Sequence, residues 1–363
     1  MKRIITLKLL SLLAFLLTLN ASAWAGPKKP KKPKHVIFLI GDGMGLAQIS
    51  GAMSTYKGQN AFERFKVIGF SKTASADNYV TDSGAGATVF SIGKKAKNGA
   101  IGVDSAEKSK DGLFELLKIK GWGTGVVATS SITHATPAAF YAHVKSRKSQ
   151  DEIAEFLVRK TCDIAIGGGN QFFLKRKDNR NLYNELTEFG YLTLHDTAWV
   201  EPMANKLIYT LADDGMPKMS EGRGDFLLKA TKLASRNLQH HYGNYFLMVE
   251  GSQIDWGGHD NDYEYMAAEL YDFNEVINAV LDAAIKDGNT LVVVTADHET
   301  GGLSLLENKE DKSSFKPNYS SKGHSGVMVP VFAFGPGAEV FGGIYENTAI
   351  HYKFLKLLGL NGK

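Results

Sequence analysis

Short apolar runs alternate along this chain with longer amphipathic stretches. The runs at 35–40, 67–73, 125–129, 163–166, 245–249, 290–295 and 329–334 are built mostly from Val, Ile, Leu, Phe and small residues. Runs of that length and make-up predict strands buried on both faces of a sheet. The clearest helix is predicted over 261–286. There Met266, Leu270, Phe273, Ile277, Val280, Leu281 and Ala284 fall at i, i+3, i+4 spacing, and Gly288 closes the pattern. Further helices are predicted at 111–120, 151–159, 223–238 and 349–358. Alternating β and α elements imply an α/β fold, with a mostly parallel central sheet flanked by helices on both faces. Neither a repeat nor a linker interrupts residues 35–363, so one folded domain is expected there. Residues 305–322 are polar and contain Pro317, and read as a surface loop.

The first residues have a different character. Lys2, Arg3 and Lys8 precede an apolar run from Leu9 to Leu17, and Ala21, Ser22, Ala23 and Ala25 follow. This is the pattern of a cleaved secretory signal peptide over 1–25. The run is short for a membrane span, so no stable membrane anchor is expected. A basic, Pro-rich tether, G-P-K-K-P-K-K-P-K, fills 26–34. Eight of the 42 basic residues lie in these two segments, which leaves 34 basic against 38 acidic residues, a formal −4, for the folded body. Such a body has no electrostatic footprint for nucleic acid. With Cys162 as the one cysteine, a secreted chain has no internal disulfide and depends on packing and metals.

Candidate chemistry gathers in six pieces: G-D-G-M-G at 41–45, T-D-S-G-A-G-A-T at 81–88, T-H-A-T-P-A-A at 133–139, E-G-S-Q-I-D-W-G-G-H at 250–259, A-D-H-E-T-G at 296–301 and G-H-S at 323–325. Several follow predicted strands directly, where ligands bind in parallel α/β sheets. Asp42 follows the first strand between glycines; taken alone it reads as well as a helix cap. Asp255 and His259 share a face if they lie on one helical turn. Glu250, Asp297, His298 and His324 add further carboxylates and imidazoles. Nitrogen and oxygen ligands without thiolate suit zinc. An all-oxygen set from Asp42, Glu250 and the Thr136 hydroxyl suits Mg²⁺. Ser83 opens a predicted helix, where it serves as an N-cap, as a nucleophile at the positive helix end, or as both. Arg147 can fork onto phosphoryl oxygens.

In order and context these pieces resemble the alkaline phosphatases, in a short bacterial form, over most of residues 35–360. D-S-G-A matches the family's nucleophile motif at Asp82 and Ser83. Its phosphate-binding arginine falls at Arg147, twelve residues after A-T-P begins. The resemblance implies a secreted phosphomonoesterase that works at alkaline pH through a phosphoserine on Ser83, with two zinc ions and one magnesium. It implies one zinc on Asp255, His259 and His324, and a second on Asp42, Asp297 and His298 with Ser83. Magnesium would take Asp42, Thr136 and Glu250, and Asp82 would orient Arg147. Small phosphate monoesters are the implied substrates, and a homodimer the usual assembly.

Two positions depart from the well-known enterobacterial form. His134 replaces an Asp, as in the animal branch, and bears on the third metal. Trp256 replaces a Lys. Both are placed beside bound substrate by the resemblance. A sulfatase would need C/S-x-P-x-R around its nucleophile, and Ser83 is followed by G-A-G instead. A phosphodiesterase, a non-catalytic zinc- or phosphate-binding protein and a purely structural protein are the other readings.

Overall fold

Strand formation follows the apolar runs closely. In chain order the computed structural model has β1 (His35–Gly41), β2 (Val67–Lys72), β3 (Gly123–Ser131), β4 (Ile164–Gly168), β5 (Leu192–His195), β6 (Leu207–Thr210), β7 (Tyr245–Gly251), β8 (Thr290–Thr295), β9 (Glu299–Thr300), β10 (Leu303–Glu307), β11 (Phe315–Tyr319), β12 (His324–Ser325), β13 (Val329–Phe334) and β14 (Gly343–Glu346). The structure describes residues 31–159, 161–195 and 197–360. The predicted leader over 1–25 and residues 26–30 of the tether lie outside them. From Lys32 onward the chain clusters as one unit.

Ten strands form one sheet in the order β14-β2-β13-β8-β1-β7-β3-β4-β6-β5. All pairs are parallel except those of β13, which runs antiparallel to β2 and β8. Alternate side chains of β1 enter opposite apolar layers. Val36, Phe38 and Ile40 join one, and Ile37 and Leu39 join the other. The first layer holds residues of helices Ser83–Ile92, Leu113–Ile119 and Thr348–Leu358. The second holds those of Phe226–Tyr242 and Tyr263–Asp287. Phe38 meets Phe90 and Phe354 edge to face, with ring centroids 5.5 and 5.2 Å apart. Truncating such a ring to Ala costs about 3–5 kcal/mol.

The surface loop expected over 305–322 is a correction. β10 and β11 pair antiparallel there, with Leu305 opposite Pro317. A two-stranded ribbon leaves one edge of each strand unpaired, so the missing N–H of Pro317 is tolerated. The helix Leu46–Thr55 also lies outside the predicted elements.

Candidate metal centre

Sheet topology brings the candidate ligands together. β8, β1, β7 and β3 are neighbours running the same way. Their C-terminal ends therefore open on one edge. Asp297 and His298 follow β8, Asp42 follows β1, Glu250 ends β7, and His134 and Thr136 follow β3. Asp255 and His259 stand one turn apart on the helix Gln253–Asp260. The two-residue ladder of β9 with β12 delivers His324.

Three clusters result, each with ligand atoms within 4.8 Å of one another: Asp255 with His259 and His324; Asp42 with Asp297 and His298; and Asp42 with His134 and Glu250. Close backbone approach is needed for this. A Cβ on Gly43, whose φ is +68°, would lie 2.9 Å from Asp255 Cα, so Gly is required there. Asp42 does not cap the next helix, whose N-cap is Gly45.

The polar atoms of these clusters are poorly satisfied by the protein itself. Asp42 Oδ2, Asp297 Oδ2, Glu250 Oε1, His134 Nδ1 and Thr136 Oγ1 are buried without a hydrogen-bond partner. Orphaned buried atoms are expensive, and their convergence fits divalent cations. The imidazoles agree. His324 Nδ1 donates to Thr81 O at 2.8 Å and His259 Nδ1 to Lys322 O at 2.5 Å. Those bonds fix the tautomers and turn both Nε2 atoms toward Asp255, the arrangement that a metal-bound imidazole needs.

Charge tells the same story. Burial, then the neighbouring Asp297, Asp255 and Glu250, pushes Asp42 well above the usual carboxylate range. Burial raises Glu250 to about 7 and Asp297 to about 6. Burial lowers His298 to about 4, and burial with Arg147 nearby lowers His134 to about 3. Burial opposes the charge on Asp255, yet bonding to His259 and the surrounding imidazoles hold it below its usual value. Bonding to Asp255 raises His259 to about 9, whereas burial keeps His298, His134 and His324 neutral; carboxylates crowded beside these rings make a pocket that a cation relieves.

Ser83 sits among these groups. Its Oγ lies 3.4 Å from Asp42 Oδ1 and 3.2 Å from His298 Nε2. It is the first residue of the helix Ser83–Ile92, and the cap is Asp82, whose side chain accepts from Ala85 N. The N-cap reading of Ser83 is thereby corrected: its hydroxyl is left for other work. Asp82 also accepts from Gly99 N at 2.9 Å and from Arg147 Nη1 at 3.0 Å. Arg147 Nη2 meets His134 Nε2 at 3.1 Å. The fork is thus held from two sides. Trp256 stands edge-on to His134, with centroids 6.2 Å apart. A Cβ on Gly215 would come within 2.5 Å of its ring.

The sequence reading passes over Thr300, which donates to Asp255 Oδ1 and lies 3.3 Å from His298 Nδ1. Its place beside Asp297-His298 in A-D-H-E-T-G was the available signal. Cys162 is buried and free, with its thiol pushed up by burial.

The chain is similar to known proteins of one family. A family model described as "Alkaline phosphatase" matches residues 33–313. Alkaline phosphatase 3 of Bacillus subtilis (strain 168) is 32% identical, over 100% of this chain and 98% of its own length. The solved structure of alkaline phosphatase from the Antarctic bacterium TAB5 is 45% identical, with a TM-score of 0.89, covering 92% of this chain and 100% of that one. A mutant of the TAB5 enzyme in which a His is replaced by Asp, solved with Mg bound in the M3 site, has a TM-score of 0.88 at 43% identity, covering 92% of this chain and 100% of that one.

Proposed function

The chain belongs to the alkaline phosphatase family and is a metal-dependent phosphomonoesterase, and we propose that it works through a phosphoserine on Ser83 beside two zinc ions and one magnesium. Asp255, His259 and His324 would hold one zinc, and Asp42, Asp297 and His298 the other. Asp42, Glu250 and Thr136 would hold magnesium, with His134 at their border; the M3 site holds magnesium in TAB5 mutants in which a His is replaced by Asp or Glu, so the His134 imidazole bears on how tightly that ion is held here. The carrying observation is the set of orphaned carboxylate, imidazole and hydroxyl atoms converging beside one buried serine. Bound cations there would supply positive charge that favours the ionised serine and the departing oxygen.

The protein's own groups supply the rest. Arg147, locked by Asp82 and His134, binds two oxygens of the phosphate dianion in a fixed orientation. Free N–H groups at the start of the helix Ser83–Ile92 favour the same anion. Ser83 Oγ, having lost its proton, attacks phosphorus as the P–O bond to the alcohol breaks. The leaving oxygen takes up a proton. Water then attacks phosphorus, the bond to Ser83 Oγ breaks, and the serine regains its proton as phosphate departs. Trp256 brings an aromatic edge but no cation to the bound phosphate.

Release of phosphate from a chromogenic monoester tests this, before and after chelation and after return of zinc and magnesium. Loss and recovery are expected, with a diester turned over poorly. Undiminished turnover after complete chelation, or a preference for the diester, would count against it.

The leader over 1–25 supports export to the periplasm or beyond, which sequencing the mature N-terminus would check. Among the described residues no helix is long and apolar enough to cross a membrane. Exposed Leu46, Val327 and Met328 gather at one hollow near β12, and support a homodimer; sedimentation of Val327→Asp beside the unaltered chain is the check.

A further inference from the structure

Glu299 directly follows His298 and is 3% exposed, yet it is not one of the carboxylates in the three clusters. We infer that Glu299, with Gln48 and Ser325, is a buried clamp that positions His298 and His324 for metal binding. The inference rests on the reading that those imidazoles hold metal ions.

Four neutral donors converge on this one carboxylate. Oε1 accepts from Gln48 Nε2 at 2.7 Å and from Leu303 N at 3.0 Å. Oε2 accepts from Gly302 N at 3.1 Å and from Ser325 Oγ. One side chain thereby ties the helix Leu46–Thr55, the turn after β9, and β12. The backbone ladder does the same across a shorter span, with Thr300 opposite His324 and Glu299 opposite Ser325. Gln48 Nε2 also donates to Thr300 O at 2.7 Å, fixing the residue whose hydroxyl reaches Asp255 and His298. Space around the clamp is tight: a Cβ on Gly45 would fall 2.4 Å from Glu299 Cγ. The imidazoles it flanks stack with centroids 3.6 Å apart and planes 18° from parallel.

A buried carboxylate held by neutral donors alone is costly to keep, and a well-packed apolar residue serves stability as well or better. What the carboxylate adds is a fixed spacing between two loops that each carry a metal ligand. Groups that orient ligands in this way are worth about 10–100-fold in metal affinity. An amide in its place turns one acceptor into a donor facing N–H and O–H groups.

Chelator competition for zinc on the full chain tests the clamp. Glu299→Gln should lose about 10–100-fold in affinity with its far-ultraviolet circular dichroism unchanged. Ser325→Ala should lose less, in the same direction, and Ser325→Thr, which restores a hydroxyl, should recover the original affinity. Unaltered zinc affinity in Glu299→Gln, with only a lower unfolding temperature of the metal-free protein, would overturn the clamp. Should Glu299→Gln fail to fold, unaltered affinity in Ser325→Ala would overturn it. An unsubstituted chain that takes up no zinc would defeat the metal reading first and the clamp with it, whereas uptake with equal affinity in all variants defeats the clamp alone.

Discussion

Nε2 of His259 and Nε2 of His324 face each other at 3.1 Å, while each ring commits Nδ1 to a backbone carbonyl. A proton on His259, whose pKa its bond to Asp255 raises to about 9, bridges that gap, and a cation can take the proton's place. Asp255 Oδ2 stands 3.3 Å from the first ring and Oδ1 3.6 Å from the second. The three groups therefore form a preformed set in which a cation can replace that proton.

Metal removal should weaken the fold as well as the activity, because ions that bind only the native state stabilise it by about 2.7 kcal/mol at a hundred times Kd. Calorimetry after chelation should show a lower unfolding temperature that zinc and magnesium restore. An unchanged temperature would mean that the orphaned atoms are satisfied in some other way.

Ser83→Ala should cut kcat by orders of magnitude yet cost only about 1 kcal/mol of stability through its lost hydrogen bonds, because the helix is capped by Asp82 and not by Ser83. Urea unfolding beside turnover separates the two. Full retention of turnover would remove Ser83 from the nucleophile role.

Asp82 carries two duties that substitution can divide. Asp82→Ala loses the cap and should cost about 1 kcal/mol, while also releasing Arg147. Asp82→Asn keeps an acceptor for Ala85 N but loses the charge facing Arg147, so KM should rise with little loss of stability. Equal KM for Asp82→Asn and the unsubstituted chain would show that Arg147 needs no partner there.

Trp256→Lys places a cation where the present residue offers only a ring. Product phosphate should then inhibit more tightly. An inhibition constant that does not fall would mean that this side chain lies out of reach of phosphate.

His351 makes stability depend on pH away from the metal centre. It packs beneath Gly93, Nδ1 donates to Phe90 O at 3.3 Å, and burial lowers its pKa to about 4. As pH falls through the ordinary value of 6.5, the unfolded chain takes up a proton that the native state refuses until about 4. Native stability supplied by the neutral ring is therefore present above 6.5 and is lost between 6.5 and 4, by up to about 3 kcal/mol. Denaturant titrations of His351→Gln across that range should show a shallower decline. Parallel declines would assign the acid sensitivity to other groups.

The candidate ligands Asp42, Glu250, Asp297 and His298 were legible in the sequence because they stand where apolar runs stop, and a parallel sheet aligns those stops, while Asp255 and His259 showed by their spacing of four and His324 only by the motif around it. The seven predicted strands are present, since continuous apolar runs leave little choice. What escaped has a physical reason. β6 is fully buried but only four residues long, too short to distinguish from a helix turn. β14 is mostly exposed and carries no apolar run. β10 and β11 pair only with each other, so neither shows strict alternation. The helix Leu46–Thr55 contains Gly51, against which Tyr263 packs so closely that a Cβ would lie 3.1 Å from its ring; composition alone reads such a residue as a breaker. The roles of Glu299 and Thr300 depend on Gln48, Ser325 and Asp255, which come from other elements of the chain, and spacing along the chain does not show them.

The most direct test of the central claim is to quench the metal-loaded protein in acid during turnover of a phosphate monoester and map covalent phosphate by mass spectrometry. The account predicts phosphate on Ser83 and none in Ser83→Ala. Phosphate on another residue, or turnover with no phosphorylated enzyme under conditions where hydrolysis of the intermediate is slow, would contradict it.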